Sequence, residues 1–354
     1  MEVSLKRQTE YESWVDVAKG IAVFLVCLGH FWYRSDIALL NQMIYSFHVP
    51  LWFILSGYLA KRDEKFLPHI WNKFIRLIVP CYVYITLTGI LYFQDLPTET
   101  AINNILSDWF YFKGKIAFNA PCWYFIVLFE AFVFEALLKI KSNNILYKSI
   151  ALLFFFVLGL IVYINKVQVP FGLDRAIISM QFFVIGMIIK DISKPIASKM
   201  AKMDQWLVYT YSLVFIILCG AIWWHLGVNK QPKVSLYSMN IGNYYYFILS
   251  GLFGSFAMLT FVYLIAKNRY KHLCKIGKNS MLIIGTHYFI RWLYYKALEE
   301  YGIFYTWRYS LLTVMFVVIM IEAYLPICVW VDKKMPVIVG KPLFRSNKLL
   351  YLAQ

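Results

Sequence analysis

The sequence predicts an all-α, polytopic membrane protein of about ten transmembrane helices, both termini cytoplasmic, in a single domain spanning 1–354. Three observations predict it. Of the 354 residues, 61% are hydrophobic and 15% charged, and mean hydropathy is +0.60, well above a soluble domain. Apolar stretches near the ~20 residues that a bilayer requires recur from end to end. The charges fall in the gaps between those stretches, so the net charge of +16 reads as membrane topology and not as nucleic-acid binding.

The expected spans are 14–33, 40–60, 74–93, 121–139, 149–165, 174–190, 206–226, 244–266, 280–298 and 309–331. The first holds Asp16 and Lys19 and has no cleavage-site pattern, which makes it a retained helix and not a signal peptide. In the second, Pro50 of Phe47–Gly57 (FHVPLWFILSG) has no N–H to give Ser46 and should kink the helix or open a turn. Lys73 and Arg76 open the third, and Pro121-Cys-Trp-Tyr-Phe opens the fourth. The fifth and sixth are short, and Asp174 and Arg175 crowd the sixth. Gly277-Lys-Asn-Ser-Met opens the ninth, with Ser280 as candidate N-cap. The longer outside loops, 94–120 and 227–243, are too small to be independent domains. With the N-terminus in the cytoplasm, 24 Lys and Arg lie on inside segments and 9 outside. That asymmetry supports both the span count and the orientation. The six cysteines are scattered at 27, 81, 122, 219, 274 and 328, without disulfide or metal spacing, so no metal is expected.

The candidate chemistry starts on the first helix. Lys19 and His30 are eleven residues apart, which places them on one face and roughly 16 Å apart along the axis. Asp16, Lys19, Val23, Cys27, His30 and Arg34 form one stripe there. Ionisable groups at membrane depth face protein or water, and they are usually functional. The bland alternative is an Asp16–Lys19 interface pair beside a satisfied histidine. His48, Ser56 and Gly57 follow on the second helix, where ordinary helix packing competes with function. Lys73 and Arg76, at i,i+3, point the same way at a helix start. They read either as topology-setting cations or as a phosphate site. Glu130 and Glu322 lie inside the fourth and tenth spans and each needs a partner. His287 shares the face of Ser280, with Arg291 four residues on. Trp109, Tyr111 and Trp123 are outside aromatics that suit sugar stacking or simply an interfacial belt.

In this order, these residues resemble the acyltransferase-3 family of integral membrane acyltransferases, and most of all its stand-alone fucose O-acetylase-like and polysaccharide O-acetyltransferase branch. The family's basic residue, ten intervening residues and histidine match Lys19 and His30 in W-x-D-x-A-K-G-I. Its second-helix signature resembles FHVPLWFILSGYL. Its basic pair before a proline is similar to Lys73, Arg76 and Pro80. Trp123–Glu130, Phe182–Ile189 and Gly277–His287 fall in the family's order. One departure is Lys19, where Arg is more usual: Lys is a point charge without a bidentate fork.

The resemblance implies a ten-helix core that moves an acyl group to a hydroxyl of a cell-surface or lipid-linked glycan. The donor is usually acetyl-CoA from the cytoplasm, and the implied setting is the inner (cytoplasmic) membrane. Either the membrane domain acts alone or a separate extracytoplasmic partner completes transfer. The implied roles are His30 as general base or transient acyl carrier, and Lys19, Lys73, Arg76 and Ser280 toward the donor. Glu130, Glu322 and Ser56 are possible partners of His30, while Asp16, His48 and His287 complete the candidate set. Succinyl in place of acetyl, or a glycan or metabolite transporter, are the rival readings.

Overall fold

The computed structural model describes residues 2–31, 38–60, 65–110, 115–140, 144–266, 270–302 and 308–341, which form helices joined by short turns. Arg34 and Tyr111 lie outside these residues. Among those described, nine helical segments are long and apolar enough to cross a membrane, and they correspond to the first eight expected spans and the tenth. The protein is thus an all-α polytopic membrane protein. The ninth expected span is a 21-residue helix, Ser280–Glu300. It is long enough to cross, but His287, Arg291, Lys296, Glu299 and Glu300 make it the more polar element.

The first helix, α1 (Glu2–Phe31), runs unbroken through Lys19 and His30. The second span divides into α2 (Ala38–Tyr45) and α3 (His48–Tyr58). Pro50 accounts for the break, because the Ser46 carbonyl lacks its helical donor. The turn is fastened instead by the Ser46 hydroxyl, which donates to Met43 O (2.7 Å) and accepts from Trp223 Nε1 (2.6 Å).

The third span begins earlier than expected. It comprises α4 (Phe66–Lys73), a π-helical turn (Phe74–Ile78) and α5 (Val79–Tyr92). Pro80 has no N–H for the Arg76 carbonyl, and the wider turn sits at that gap. The expectation that Lys73 and Arg76 open a helix and point together is therefore corrected. A helical segment precedes them, and the π turn changes the angular step between them. Lys73 lies half-buried with its ammonium 3.6 Å from the Phe132 ring centre, and Arg76 is exposed.

The 94–120 loop carries a helix, α6 (Thr98–Phe110). Beyond it come α7 (Trp123–Leu137), α8 (Ile145–Ile164), α9 (Leu173–Met200) and α10 (Gln205–Trp223). The buried charges at the start of α9 neutralise each other, with Arg175 Nη1 donating to both oxygens of Asp174 (2.8 and 2.7 Å). A π turn (Trp224–Asn229) ends the α10 segment, and α11 (Tyr244–Ile265) follows a folded loop. A short helix, α12 (Lys271–Lys278), leads through Asn279 into α13 (Ser280–Glu300), and α14 (Arg308–Lys334) is the last span. Ser280 is the first residue of α13 and not its cap. Asn279 holds the cap position, and its side chain donates back to Lys275 O (2.8 Å) at the end of α12.

Two glycine pairs set the closest helix approaches. A Cβ on Gly277 would strike the Asp16 carbonyl, and one on Gly20 would strike the Leu273 carbonyl. Gly57 and Gly186 meet the backbone of Phe183 and Ile54 in the same way, where α3 crosses α9. Small residues at such crossings let backbones touch where lipid gives no hydrophobic drive. Gly186→Val should lower stability by about 1–3 kcal/mol, read as a lower thermal midpoint of the detergent-solubilised protein. An unchanged midpoint would contradict this crossing.

Candidate active site

The ionisable residues in the membrane-length part of α1, Trp14–Phe31, sit toward its two ends. At one end Lys19 Nζ is 2.6 Å from Asp16 Oδ1, and Lys278 Nζ is 3.9 Å from Asp16 Oδ2. The α1–α12 glycine contact brings these three together. The same end holds Arg76 and the start of α13: a Cβ on Gly340 would lie 2.5 Å from Arg76 O and 3.0 Å from Met281 Sδ, next to Ser280. Three of the four expected donor residues, Lys19, Arg76 and Ser280, thus occupy one end of the bundle, and the fourth, Lys73, is three residues from Arg76.

His30 is at the other end. The last carbonyls of α1 have no intrahelical donors, and α13 supplies them. Arg291 Nε donates to His30 O (2.7 Å), and the Tyr295 hydroxyl donates to Phe31 O (2.5 Å). A cation at a helix C-terminus also complements the helix dipole. These two bonds fix the height and rotation of His30.

The half-buried His30 ring meets Tyr45, Tyr288 and His287, with Tyr45 OH 3.3 Å from His30 Nδ1. Ring centres lie 5.7 Å from Tyr288 and 5.2 Å from His287. Tyr45 in turn contacts His48, with ring centres 4.8 Å apart. His48 Nδ1 lies 2.9 Å from Ile44 O, and His287 Nδ1 lies 3.1 and 2.9 Å from Ile283 O and Ile284 O. A carbonyl only accepts, so each of these Nδ1 atoms carries the proton. The histidines do not form a metal cluster among the described residues.

A cavity of about 170 Å³ opens beside these groups, lined by His30, Tyr45, His48, Trp123, Tyr237 and Tyr288 among others. Its outer wall is the loop 230–243, which folds inward so that Val234, Leu236 and Ile241 are buried. Gln42 Nε2 donates to the carbonyls of Val228 and Gln231, and Arg175 Nε donates to Tyr237 O (3.2 Å). The Tyr237 hydroxyl bonds both the N–H and the carbonyl of Ile116 (3.0 and 3.1 Å). Lys233 Nζ lies 3.9 Å from the Tyr45 ring centre. Burial, and then the charge of Arg291, hold the Lys233 ammonium below its ordinary range.

The other expected partners of His30 lie elsewhere. Glu322 pairs with His272 (2.6 Å), and both side chains are about half exposed, so Glu322 does not orient His30. Ser56 Oγ is 3.2 Å from Tyr124 OH. Glu130 is buried in α7, with Asp174 and Arg175 as its charged neighbours. Tyr45, Tyr288 and Lys233 belong to the site without having been expected there; the only sequence signal for Tyr45 is its place two residues before FHVP.

The site geometry predicts that Tyr237→Phe, which removes the bonds to Ile116, speeds amide hydrogen exchange in 230–243 and leaves that of α1 unchanged. Equal protection in the two proteins would contradict the role given to this tether.

Two comparisons, with curated proteins and with solved structures, return no match. A family profile described as an acyltransferase domain matches residues 12–325, which covers Lys19, His30 and the whole histidine cluster. The chain belongs to the acyltransferase-3 family.

Proposed function

We propose that this membrane acyltransferase is an O-acetyltransferase, which takes acetyl from cytoplasmic acetyl-CoA and places it on a hydroxyl of a cell-surface or lipid-linked glycan. The observation that carries the reading is the two-ended α1. A lysine group stands at one end, and a histidine lining a cavity stands roughly 16 Å along the axis at the other. An extended pantetheine arm suits that separation. Lys19, Lys73 and Arg76 would meet the donor's phosphates at the cytoplasmic end, with Ser280 beside them. The aromatic walls of Trp123, Tyr237 and Tyr288 would hold a sugar ring at the opposite end.

In this reading His30 is the general base. The acceptor hydroxyl gives its proton to His30 as its oxygen attacks the acetyl carbonyl. The new C–O bond forms, the C–S bond breaks, and the CoA thiolate leaves and is protonated. General base catalysis of this kind contributes about 10²–10⁴-fold. Loop 230–243 keeps water from the acetyl group and must yield to admit a glycan.

Reconstituted protein with labelled acetyl-CoA and a glycan extract should release free CoA only when acceptor is present. A transporter would release none, and mass analysis of the product separates acetyl from succinyl. His30→Ala should abolish transfer at unchanged thermal midpoint, and wild-type turnover by His30→Ala would overturn the assignment. Lys19→Ala should raise KM for acetyl-CoA about tenfold, or about 1.4 kcal/mol, and leave the acceptor's KM unchanged.

A further inference from the structure

His30 needs an orienting partner, and the site holds no carboxylate in contact with it among the described residues. His287 is the group behind it. Its side chain is 0% exposed, and it does not line the cavity. The carbonyls of Ile283 and Ile284 hold the proton on Nδ1, so Nε2 presents a lone pair. That Nε2 is buried and has no hydrogen-bond partner among the described residues, so it is an open acceptor beside the His30 ring and a bond between the two rings is not closed in the position seen here. A buried acceptor left open is costly, and such groups cluster where function needs them. The His30 ring lies 5.2 Å away, centre to centre, tilted by 48°. Tyr45 already occupies Nδ1 of His30, which leaves Nε2 as the nitrogen free for a second partner. His48 differs on both counts, since its ring neighbours Tyr45 and its Nε2 is not an orphan.

We propose that His287 is the positioning residue for His30: a turn of the His30 ring lets the open Nε2 lone pair of His287 accept the Nε2–H of His30, which leaves His30 Nδ1 as the basic nitrogen beside Tyr45. This rests on the acetyltransferase reading given above. The acceptor hydroxyl takes the place of the Tyr45 hydroxyl at Nδ1 and delivers its proton there, while Nε2 keeps its own. The resulting imidazolium then donates a charge-assisted bond to His287, and the proton leaves with the CoA thiolate. A neutral imidazole performs the orienting task that a carboxylate performs in a serine hydrolase, without an ionised acid at membrane depth. Tyr45, Tyr288, His48, Arg291 and Lys233 surround the pair, and none of them offers a carboxylate.

The test uses the full chain in lipid nanodiscs, with isotope-labelled histidine read by nitrogen NMR and His30 assigned with His30→Gln. In the wild type, His30 should carry its proton on Nε2, and His287→Phe should mix the two tautomers. With acetyl-CoA and acceptor, His287→Phe should lower kcat about 100-fold at unchanged KM for acetyl-CoA. His287→Gln keeps an acceptor oxygen, and it should recover at least tenfold of that loss. His30 protonated on Nδ1 in the wild type would overturn the proposal, as would full kcat in His287→Phe. If His287→Phe does not fold, the wild-type tautomer and a His287→Gln that is no better than His30→Ala decide the matter. The tautomer measurement needs no substrate. A wild type that transfers no acetyl therefore defeats the acetyltransferase reading separately from this one.

Discussion

The close crossing of α1 with the α12–α13 segment organises the rest of the molecule. Gly20 and Gly277 let the two backbones touch, because a side chain on either would strike a carbonyl of the other strand of the contact. Ten residues separate Gly20 from His30, and ten separate Gly277 from His287. Both segments run the same way from the crossing, at about 1.5 Å per residue. They therefore arrive at similar height, and the two rings meet 5.2 Å apart. The same crossing places Lys278 beside Asp16 and Lys19. One backbone contact thus sets both ends of the candidate path.

Membrane depth explains why that path is enclosed. A stripe holding Asp16, Lys19 and His30 is not tolerated against lipid; α12 packs on its Asp16–Lys19 end and α13 on its His30 end. α13 is the long helix whose composition falls short of an ordinary span, and its polar residues are the ones that bond α1. Arg291 and Tyr295 satisfy the terminal carbonyls of α1, and His287 stands behind His30. The polarity that makes α13 a poor lipid-facing helix is what fits it to line a site. The loop 230–243 closes the histidine end, its backbone carbonyls bonded by the side chains of Gln42 and Arg175.

Much of the fold was legible because hydropathy at membrane length is a strong signal. The break at Pro50 was legible as well, since a missing N–H has a local consequence. Other features were not. The π turn at Phe74–Ile78 changes the direction of Arg76 relative to Lys73, and helical spacing rules assume the ordinary turn. The short helices α6 and α12 lie in polar segments, where span-length apolarity gives no signal. At the site, His30, His48 and His287 were each visible as ionisable groups at depth. Their meeting was not, because it depends on a crossing between segments more than 250 residues apart in the chain. Glu322 shows the opposite error: a carboxylate inside an apolar run looks like a partner for His30, yet it faces outward to His272.

The central claim is that donor and acceptor meet the protein at opposite ends of the membrane-length part of α1, Trp14–Phe31. Sealed membrane vesicles of defined orientation test it most directly. Labelled acetyl-CoA, which does not cross the bilayer, is added on one side only, and label is sought on glycan confined to the other. The account predicts transfer across the membrane when acetyl-CoA faces the Lys19 end, and none when it faces the His30 end. Transfer only when acetyl-CoA and glycan share the His30 side would contradict it.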